Sequence, residues 1–324
     1  MKKISIVTPC YNEENNIQDV YSRVKQIFDQ LKIYSYEHLF IDNASTDKSI
    51  LILKRIAKKD SNVKIIINHR NFGVVRSMCY ALLQTSGNSV VFLAADLQEP
   101  PELIPKFIQK WEEGYLVVKG IKTSSKEIFL MYFLRSVYYY LVQAISDVEV
   151  TSHFTGFGLY DRKVIEVLRE INDPYPYFRG LIEELGFSSV KIAYQQQQRK
   201  KGKSSYNLCR YFDEAMLGIT SHSRIPLRIA TIIGLIMSFF SFIVFIGYLV
   251  AKLMFWQSFQ LGNVPIVVGL FLLSSMQLLF VGIIGEYIGL IHLRMLNRPL
   301  VLERERINFE NDTKLEDDHC DKNL

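Results

Sequence analysis

The sequence predicts an α/β domain on a mostly parallel sheet, followed by membrane-surface helices and a hairpin of two transmembrane helices. Two patterns carry that prediction. In the first half, five short apolar runs alternate with four longer helix-like runs. Strand runs separated by crossover-length helices imply a parallel sheet covered on both faces. In the second half, residues 229–251 and 253–285 contain no charged residue. Each stretch exceeds the ~20 apolar residues that cross a bilayer as a helix. One such run has a ready alternative as a buried core helix; two in succession point to membrane.

The strand-like runs are ISIV (4–7), HLFID (38–42), VKIII (63–67), SVVFLAAD (89–96) and YLVVKG (115–120). Between them lie ENNIQDVYSRVKQIFDQL, DKSILILKRIAKK, VVRSMCYALLQT and PELIPKFIQKWEE. Ligands of open parallel sheets bind at the carboxyl ends of the strands, and here those ends turn polar. The first run passes into TPCYNEEN, where Pro9 is expected to end pairing and Tyr11, Asn12 and Glu13 to sit at the tip. This turn suits a ribose and an anion; plain helix capping by Asn12, Glu13 and Glu14 is the alternative. The second run ends in DNASTDKS, with Asp42 at its tip and Ser45 or Thr46 as a cap. The third ends in HRNFGVVRS, where Gly73 permits close backbone approach and Arg70 and Arg76 supply positive charge. His69 reads as a surface histidine. The fourth closes in DLQEPPE, delivering Asp96 and Gln98. One carboxylate and one amide oxygen, added to a diphosphate, suffice for a hard divalent cation.

Further along, KEIFLMYFLRSVYYYLVQAIS (126–146) is apolar nearly all round but is split by Arg135 and crowded with tyrosine. A spanning helix would bury that arginine at cost, so the segment reads as a membrane-surface helix, with a packed core helix as the alternative. Residues 205–224 read as a juxtamembrane amphipathic helix, 225–298 as two transmembrane helices (about 229–251 and 264–291), and 299–324 as a polar tail. From Glu303 that tail holds eight acids and four bases. Arginines 224, 228, 294, 298, 304 and 306 flank the apolar pair, whereas the connector carries one lysine. The positive-inside rule then puts both termini and the α/β domain, residues 1–204, in the cytosol. The basic start MKK is followed by too short an apolar run for a secretion signal. Four scattered cysteines fit reduced thiols better than zinc ligands or disulfides. A net charge of +5 is too modest to suggest nucleic acid.

The set PCYNEEN, DNASTDKS, RNFG, DLQEPPE and RKKGKSSYN, in that order with two spans behind, resembles the polyprenol-phosphate glycosyltransferases of glycosyltransferase family 2. That group includes dolichyl-phosphate mannose synthase and, closest to this chain, two-span bacterial undecaprenyl-phosphate glucosyltransferases. The resemblance runs to about Arg298. It implies a Rossmann-like nucleotide-sugar (GT-A) domain in which Pro9, Tyr11, Glu13 and Asp42 hold the nucleoside, with Gly73 and Arg76 at the same edge. It implies that Asp96 and Gln98 ligate Mg²⁺ or Mn²⁺ on the diphosphate. Arg199 would grip phosphate as a catalytic group alongside Asp96, and Lys122, Arg135 and Ser204 would join it at the acceptor phosphate. The basic run RKKGK has a second reading as a surface that attracts anionic lipid. Two departures stand out. Ala94 replaces an acid of the common Asp-Ala-Asp pattern, and Gly156, in FTGFGLYD, stands where relatives place an acid.

The implied reaction is inverting transfer of a hexose from a nucleotide sugar, UDP-linked by resemblance, to polyprenyl phosphate at a bacterial plasma membrane. The acceptor is already an anion at neutral pH, so positioning and charge screening replace proton removal. Self-association is compatible with so short an anchor. Two alternatives remain at this point. A processive polysaccharide synthase would normally show a Gln-x-x-Arg-Trp motif, and neither Trp111 nor Trp256 follows an arginine. A degenerate transferase serving as a membrane scaffold draws its support from Ala94.

Overall fold

The computed structural model describes residues 1–123, 151, 154–196, 216–218, 220, 223, 225–254 and 263–309. The expected surface helix at 126–146 and most of the one at 205–224 lie outside them. The described residues form two compact units, one of 1–123, 151, 154–196 and 297–309, the other of 216–296.

The first unit is an eight-stranded sheet. Its strands are β1 (Lys2–Cys10), β2 (Tyr34–Asp42), β3 (Val63–Asn68), β4 (Ser89–Phe92), β5 (Val117–Lys122), β6 (Phe154–Asp161), β7 (Ser189–Tyr194) and β8 (Glu303–Ile307). They lie in the order β7-β5-β6-β4-β1-β2-β3-β8. β4, β1, β2 and β3 are mutually parallel, as are β5 and β7, whereas β6 and β8 run antiparallel to their neighbours. The mostly parallel α/β architecture expected from the alternation is therefore what the chain adopts. β1 lies near the centre because Ile4, Ile6 and Val7 offer apolar side chains to both faces. On one face α1 (Ile17–Gln30), α2 (Ser49–Ala57) and α4 (Ile104–Glu112) bring Val20, Val24, Leu53 and Phe107. On the other, α3 (Val74–Leu83), α5 (Arg162–Ile171) and α6 (Phe178–Glu184) bring Met78, Leu82, Ile165 and Phe178. Each such large side chain, fully buried, contributes about 1.5–3 kcal/mol.

Three expectations need correction. Pro9 does not end pairing, because β1 continues in register through Pro9–Ile41 and Cys10–Asp42. Pairing with β4 stops at Val7–Phe92, so the missing proline N–H faces no strand. The fourth run leaves the sheet earlier than expected: β4 ends at Phe92, and the Ala94 N–H donates to the Glu99 carboxylate at 3.2 Å instead. The region 299–324 is not wholly a tail. Residues 303–307 form β8, antiparallel to β3 with Ile65 opposite Ile307 and Asn68 opposite Glu303. Charge alternation suits an edge strand, where one side of the backbone meets solvent.

The second unit contains two long helices, α7 (Ile225–Met254) and α8 (Asn263–Met295). Both are long and apolar enough to cross a membrane, over Ile225–Val244 and Gly269–Met295. They extend a few residues beyond the expected spans. Glu286 is exposed on α8 and makes no ion pair among the described residues.

At the amino ends of the strands, Glu37 is buried and densely partnered. It accepts from Ser5 Oγ (2.6 Å), the Ser86 N–H (2.7 Å) and Ser86 Oγ (2.9 Å), and pairs with Lys64 (2.8 Å) and Lys3 (3.0 Å). Burial pushes its carboxyl up, but these bonds outweigh burial and hold it at about 2, against 4.5 unfolded. A depressed folded value means the stabilisation is complete above pH 4.5 and is lost as pH falls toward 2. Glu37→Gln should lower unfolding free energy at pH 7 by about 3 kcal/mol and flatten its acid dependence in that window, read by denaturant titration at several pH values.

Candidate functional site

Each of the four adjacent parallel strands ends in a loop containing one residue with positive φ. These are Asn12 after β1 (56°), Ala44 after β2 (61°), Gly73 after β3 (88°) and Leu97 after β4 (56°). Glycine adopts this conformation freely and asparagine tolerates it, but alanine and leucine are strained there by roughly 1–3 kcal/mol. Leu97 is held by burying its side chain, 4% exposed. In each loop the left-handed residue reverses the chain just past the sheet. The polar side chains around it therefore collect along one edge.

The first two loops are laced together. The Asn12 N–H donates to Ser45 Oγ and its side-chain oxygen accepts the Thr46 N–H, at 2.9 and 2.8 Å. The Glu13 N–H donates to Ser49 Oγ (2.9 Å), the Glu14 N–H to Asp47 (3.2 Å), and the Lys48 N–H to Glu14 (3.0 Å). Glu13 itself is 9% exposed and its carboxylate accepts from Asn16 Nδ2 at 2.6 Å. Tyr11 keeps its ring partly in solvent, while Pro9 is buried within β1. Asp42 is fully buried, and both its oxygens accept from Ser45, one from the backbone N–H and one from the hydroxyl. Burial raises its carboxyl, only partly offset by those bonds and by Cys10. Asp42 thus shapes the turn that presents Ser45, rather than facing outward.

Asn43 joins the second loop to the third. Its side-chain oxygen accepts from Asn68 Nδ2 (3.0 Å) and Ser77 Oγ (2.5 Å), tying β3 and α3 to the tip of β2. The RNFG turn is closed by the Gly73 N–H donating to Asn71 at 2.8 Å. No atom lies within 4 Å of where a Cβ on Gly73 would stand, so positive φ is what calls for glycine. Arg70 and Arg76 flank the Phe72 ring at 4.2 and 5.6 Å. Arg76 is not free at the tip: one guanidinium nitrogen donates to the Pro299 carbonyl at 2.8 Å.

The fourth loop is fastened to β6 and β7. Asp96 is partly exposed and accepts the Gln98 N–H at 3.2 Å. Gln98 Oε1 accepts from Gln196 at 2.9 Å. Glu99, 5% exposed, accepts from Thr155 Oγ1 at 2.7 Å and from the Ala94 N–H. Burial drives its carboxyl up to about 7 despite those bonds, with the Asp96 charge adding to the rise. Gly156 follows Thr155 at φ 102°, with the Phe92 and Phe178 rings 3.7 Å from a would-be Cβ. Room exists for a side chain there, but an L-residue is strained at that backbone angle.

Among the described residues no three His, Cys, Asp or Glu side chains cluster as a metal cage. Asp96 and Gln98 nevertheless suit a hard cation shared with substrate phosphates, which takes one or two protein oxygens and leaves the rest to phosphate and water. Lys122 ends β5, opposite Tyr194 of β7. Arg135, Arg199 and Ser204 lie outside the described residues. Asn43, Glu99, Thr155 and Gln196 also belong to the site, beyond the residues expected from the sequence. Only Glu99 carries a local signal, an acid wedged between an apolar strand and Pro100-Pro101.

Comparison with known proteins gives a consistent picture. Residues 5–169 match the profile described as "Glycosyl transferase family 2". The "Uncharacterized glycosyltransferase YkcC" of Bacillus subtilis (strain 168) is 37% identical over 316 residues, covering 97% of each chain. The "Bactoprenol glucosyl transferase" of Shigella phage SfX is 31% identical over 305 residues, covering 94% of this chain and 99% of its own. Among solved structures, glucosyl-3-phosphoglycerate synthase of Mycobacterium tuberculosis, with Mn²⁺, UDP and phosphoglyceric acid, aligns at a TM-score of 0.46. Its identity is 18%, over 68% of this chain and 76% of that one.

Replacing Asn43 by alanine would remove the acceptor shared by Asn68 and Ser77. The 3.3 Å bond from Asn68 Nδ2 to Ser77 Oγ would remain, but the buried Ser77 O–H would have no acceptor among the described residues. An orphaned buried polar group costs about 1–3 kcal/mol. Asn43→Ala should therefore lower stability by about 1–3 kcal/mol, visible as a drop in thermal midpoint, whereas Thr46→Ala at the exposed lacing should change it little.

Proposed function

Because the chain belongs to glycosyltransferase family 2, we propose that it transfers a hexose from a nucleotide sugar to polyprenyl phosphate, with undecaprenyl phosphate the acceptor class, at the cytosolic membrane face. The observation that carries the reading is the gathering of four polar loops on one sheet edge, in a chain that also has two apolar helices of spanning length. Relatives bearing the bactoprenol name support the acceptor and a glucosyl group; UDP as the nucleotide rests on the motif resemblance to the two-span bacterial branch alone. Basic residues Arg228, Arg294 and Arg298 near the ends of the helical pair support a cytosolic catalytic unit.

In this reading the laced β1 and β2 loops hold the nucleoside. Tyr11 supplies an exposed ring, Glu13 a carboxylate for ribose hydroxyls, and Asp42 acts through the Ser45 turn it fixes. Pro9 contributes the end of the strand, and Gly73 lets the backbone approach the ligand. Asp96 and Gln98 would hold Mg²⁺ or Mn²⁺, which screens charge on the departing diphosphate. Glu99 clamps that loop against Thr155, so that Asp96 is presented in one geometry. Arg199 is assigned to the same developing charge, and Lys122, Arg135 and Ser204 to the acceptor phosphate, on resemblance. The acceptor oxygen, anionic without assistance, attacks the anomeric carbon as the nucleoside diphosphate departs, inverting that centre. No general base is needed, which suits Gly156.

The test is transfer from a panel of labelled nucleotide sugars to undecaprenyl phosphate in membranes, with the lipid product identified by mass spectrometry. Asp96→Ala should reduce transfer on the order of 10²–10³-fold, the scale of losing one preorganised electrostatic contact. Undiminished transfer by that variant would remove Asp96 from the site. Transfer to no polyprenyl phosphate from any donor would remove the acceptor class.

A further inference from the structure

We propose that residues 298–309, which follow the second apolar helix, are a positioning element of the donor edge, fixing the 69–76 loop and thereby setting nucleotide affinity. The proposal rests on reading that edge as the nucleotide-sugar site. Its first support is direction. β8 is antiparallel to β3 and Glu303 lies opposite Asn68, so the residues just before Glu303 run on past the tip of β3. They extend the row of loops already formed by β4, β1, β2 and β3.

The second support is where the contacts fall. If β8 only covered the open side of β3, its bonds would stop with the ladder at Ile65–Asn68. They continue into the loop instead. The His69 N–H donates to the Leu302 carbonyl at 2.9 Å, and Arg76 donates to the Pro299 carbonyl at 2.8 Å. Val301 is buried between these two grips, and Leu300 lines a small apolar cavity with Cys79, Leu83, Leu168 and Leu181. The loop thus held contains Gly73 and carries Arg70 and Arg76, and no carboxylate among the described residues pairs with either arginine. Burial and the neighbouring charges of Arg70 and Arg298 lower the Arg76 guanidinium, as fits three cations gathered where an anion is expected.

The third support is that the segment is fastened at several points beyond the loop. Lys54 bonds both oxygens of Glu305, at 2.6 and 2.7 Å. Arg306 pairs with Glu303 and donates to Tyr80 of α3 (3.2 Å) and to Gln84 just past its end (2.7 Å). Asn308 donates to the carbonyls of Ala57 (3.0 Å) and Val63 (2.8 Å). A frame gripped by α2, β3 and α3 transmits its own position to the loop it holds.

The deciding measurement separates positioning from edge cover. Full-length protein in nanodiscs is titrated with UDP, and separately with GDP, in the presence of Mn²⁺, well below each variant's unfolding midpoint. Truncation after Leu300 and Arg306→Ala should each weaken nucleotide binding about tenfold or more, the scale of loss from small misplacements in a binding site. Lys54→Glu and Glu305→Lys should each weaken it, and the double variant should recover parental affinity. Truncation after Glu310, which keeps the strand, should leave it unchanged. Lowered midpoints with unchanged nucleotide affinity across the set would overturn the proposal and leave β8 as edge cover alone. Should truncation after Leu300 not fold, Arg306→Ala and the charge-exchange series decide by the same criterion. Parental protein that binds neither nucleotide overturns the donor-edge reading itself, an outcome visible before any variant is made.

Discussion

The structure depends on how polar groups are satisfied just beyond the ends of four parallel strands. Inside the sheet, ladder bonds settle the backbone; past its edge, loops must find partners or remain wet. Here they bond sideways to one another. Asn12, Glu13 and Glu14 reach the 45–49 turn, Asn43 reaches Asn68 and Ser77, and the β3 loop reaches Pro299 and Leu302. The β4 loop is secured in the other direction, to Thr155 and Gln196. The edge is therefore built as two laced groups meeting between β1 and β4, each rigid from its own bonds.

Three buried carboxyls show how environment divides labour between the two ends of the sheet. Glu37, at the amino ends, meets two lysines and is strongly ionised. Asp42 and Glu99, at the carboxyl ends, meet only hydroxyl, thiol and amide donors, and burial raises both. Hydrogen bonds from neutral donors do not cancel charge as a cation does. The amino end is thus electrically closed and serves stability. At the carboxyl end burial instead favours the protonated forms of Asp42 and Glu99, so these two acids serve as hydrogen-bonded struts of the loops rather than as paired charges.

Much of this was legible in the chain itself. The apolar run that ends in Asp42 announces a strand tip, since burying an unpaired acid within a strand is costly, whereas Asp96 lies four residues past the end of its strand. The alternation of runs gave the parallel sheet, and the two uncharged stretches gave the helical pair. What was hidden depends on distant partners. Nothing near Asn43 announces that it will meet Ser77, and nothing near Gln196 points to Gln98. The strands after residue 150 carry little local signal, because glycines interrupt FTGFGLYD and β7 alternates like a solvated edge. The strand ERERI resembles a tail for the same reason: its charges look like a solvated end, and only the partner strand reveals the ladder.

That last strand has a consequence for biogenesis. β3 is synthesised early, yet its outer neighbour is encoded more than two hundred residues later, after both apolar helices. Until residues 303–307 have been synthesised, the Ile65–Ile67 edge stays an open template for pairing with other chains. Closure of the sheet thereby waits on synthesis of both long apolar helices, and a nascent chain arrested before residue 303 would display an unfinished sheet to cellular quality control.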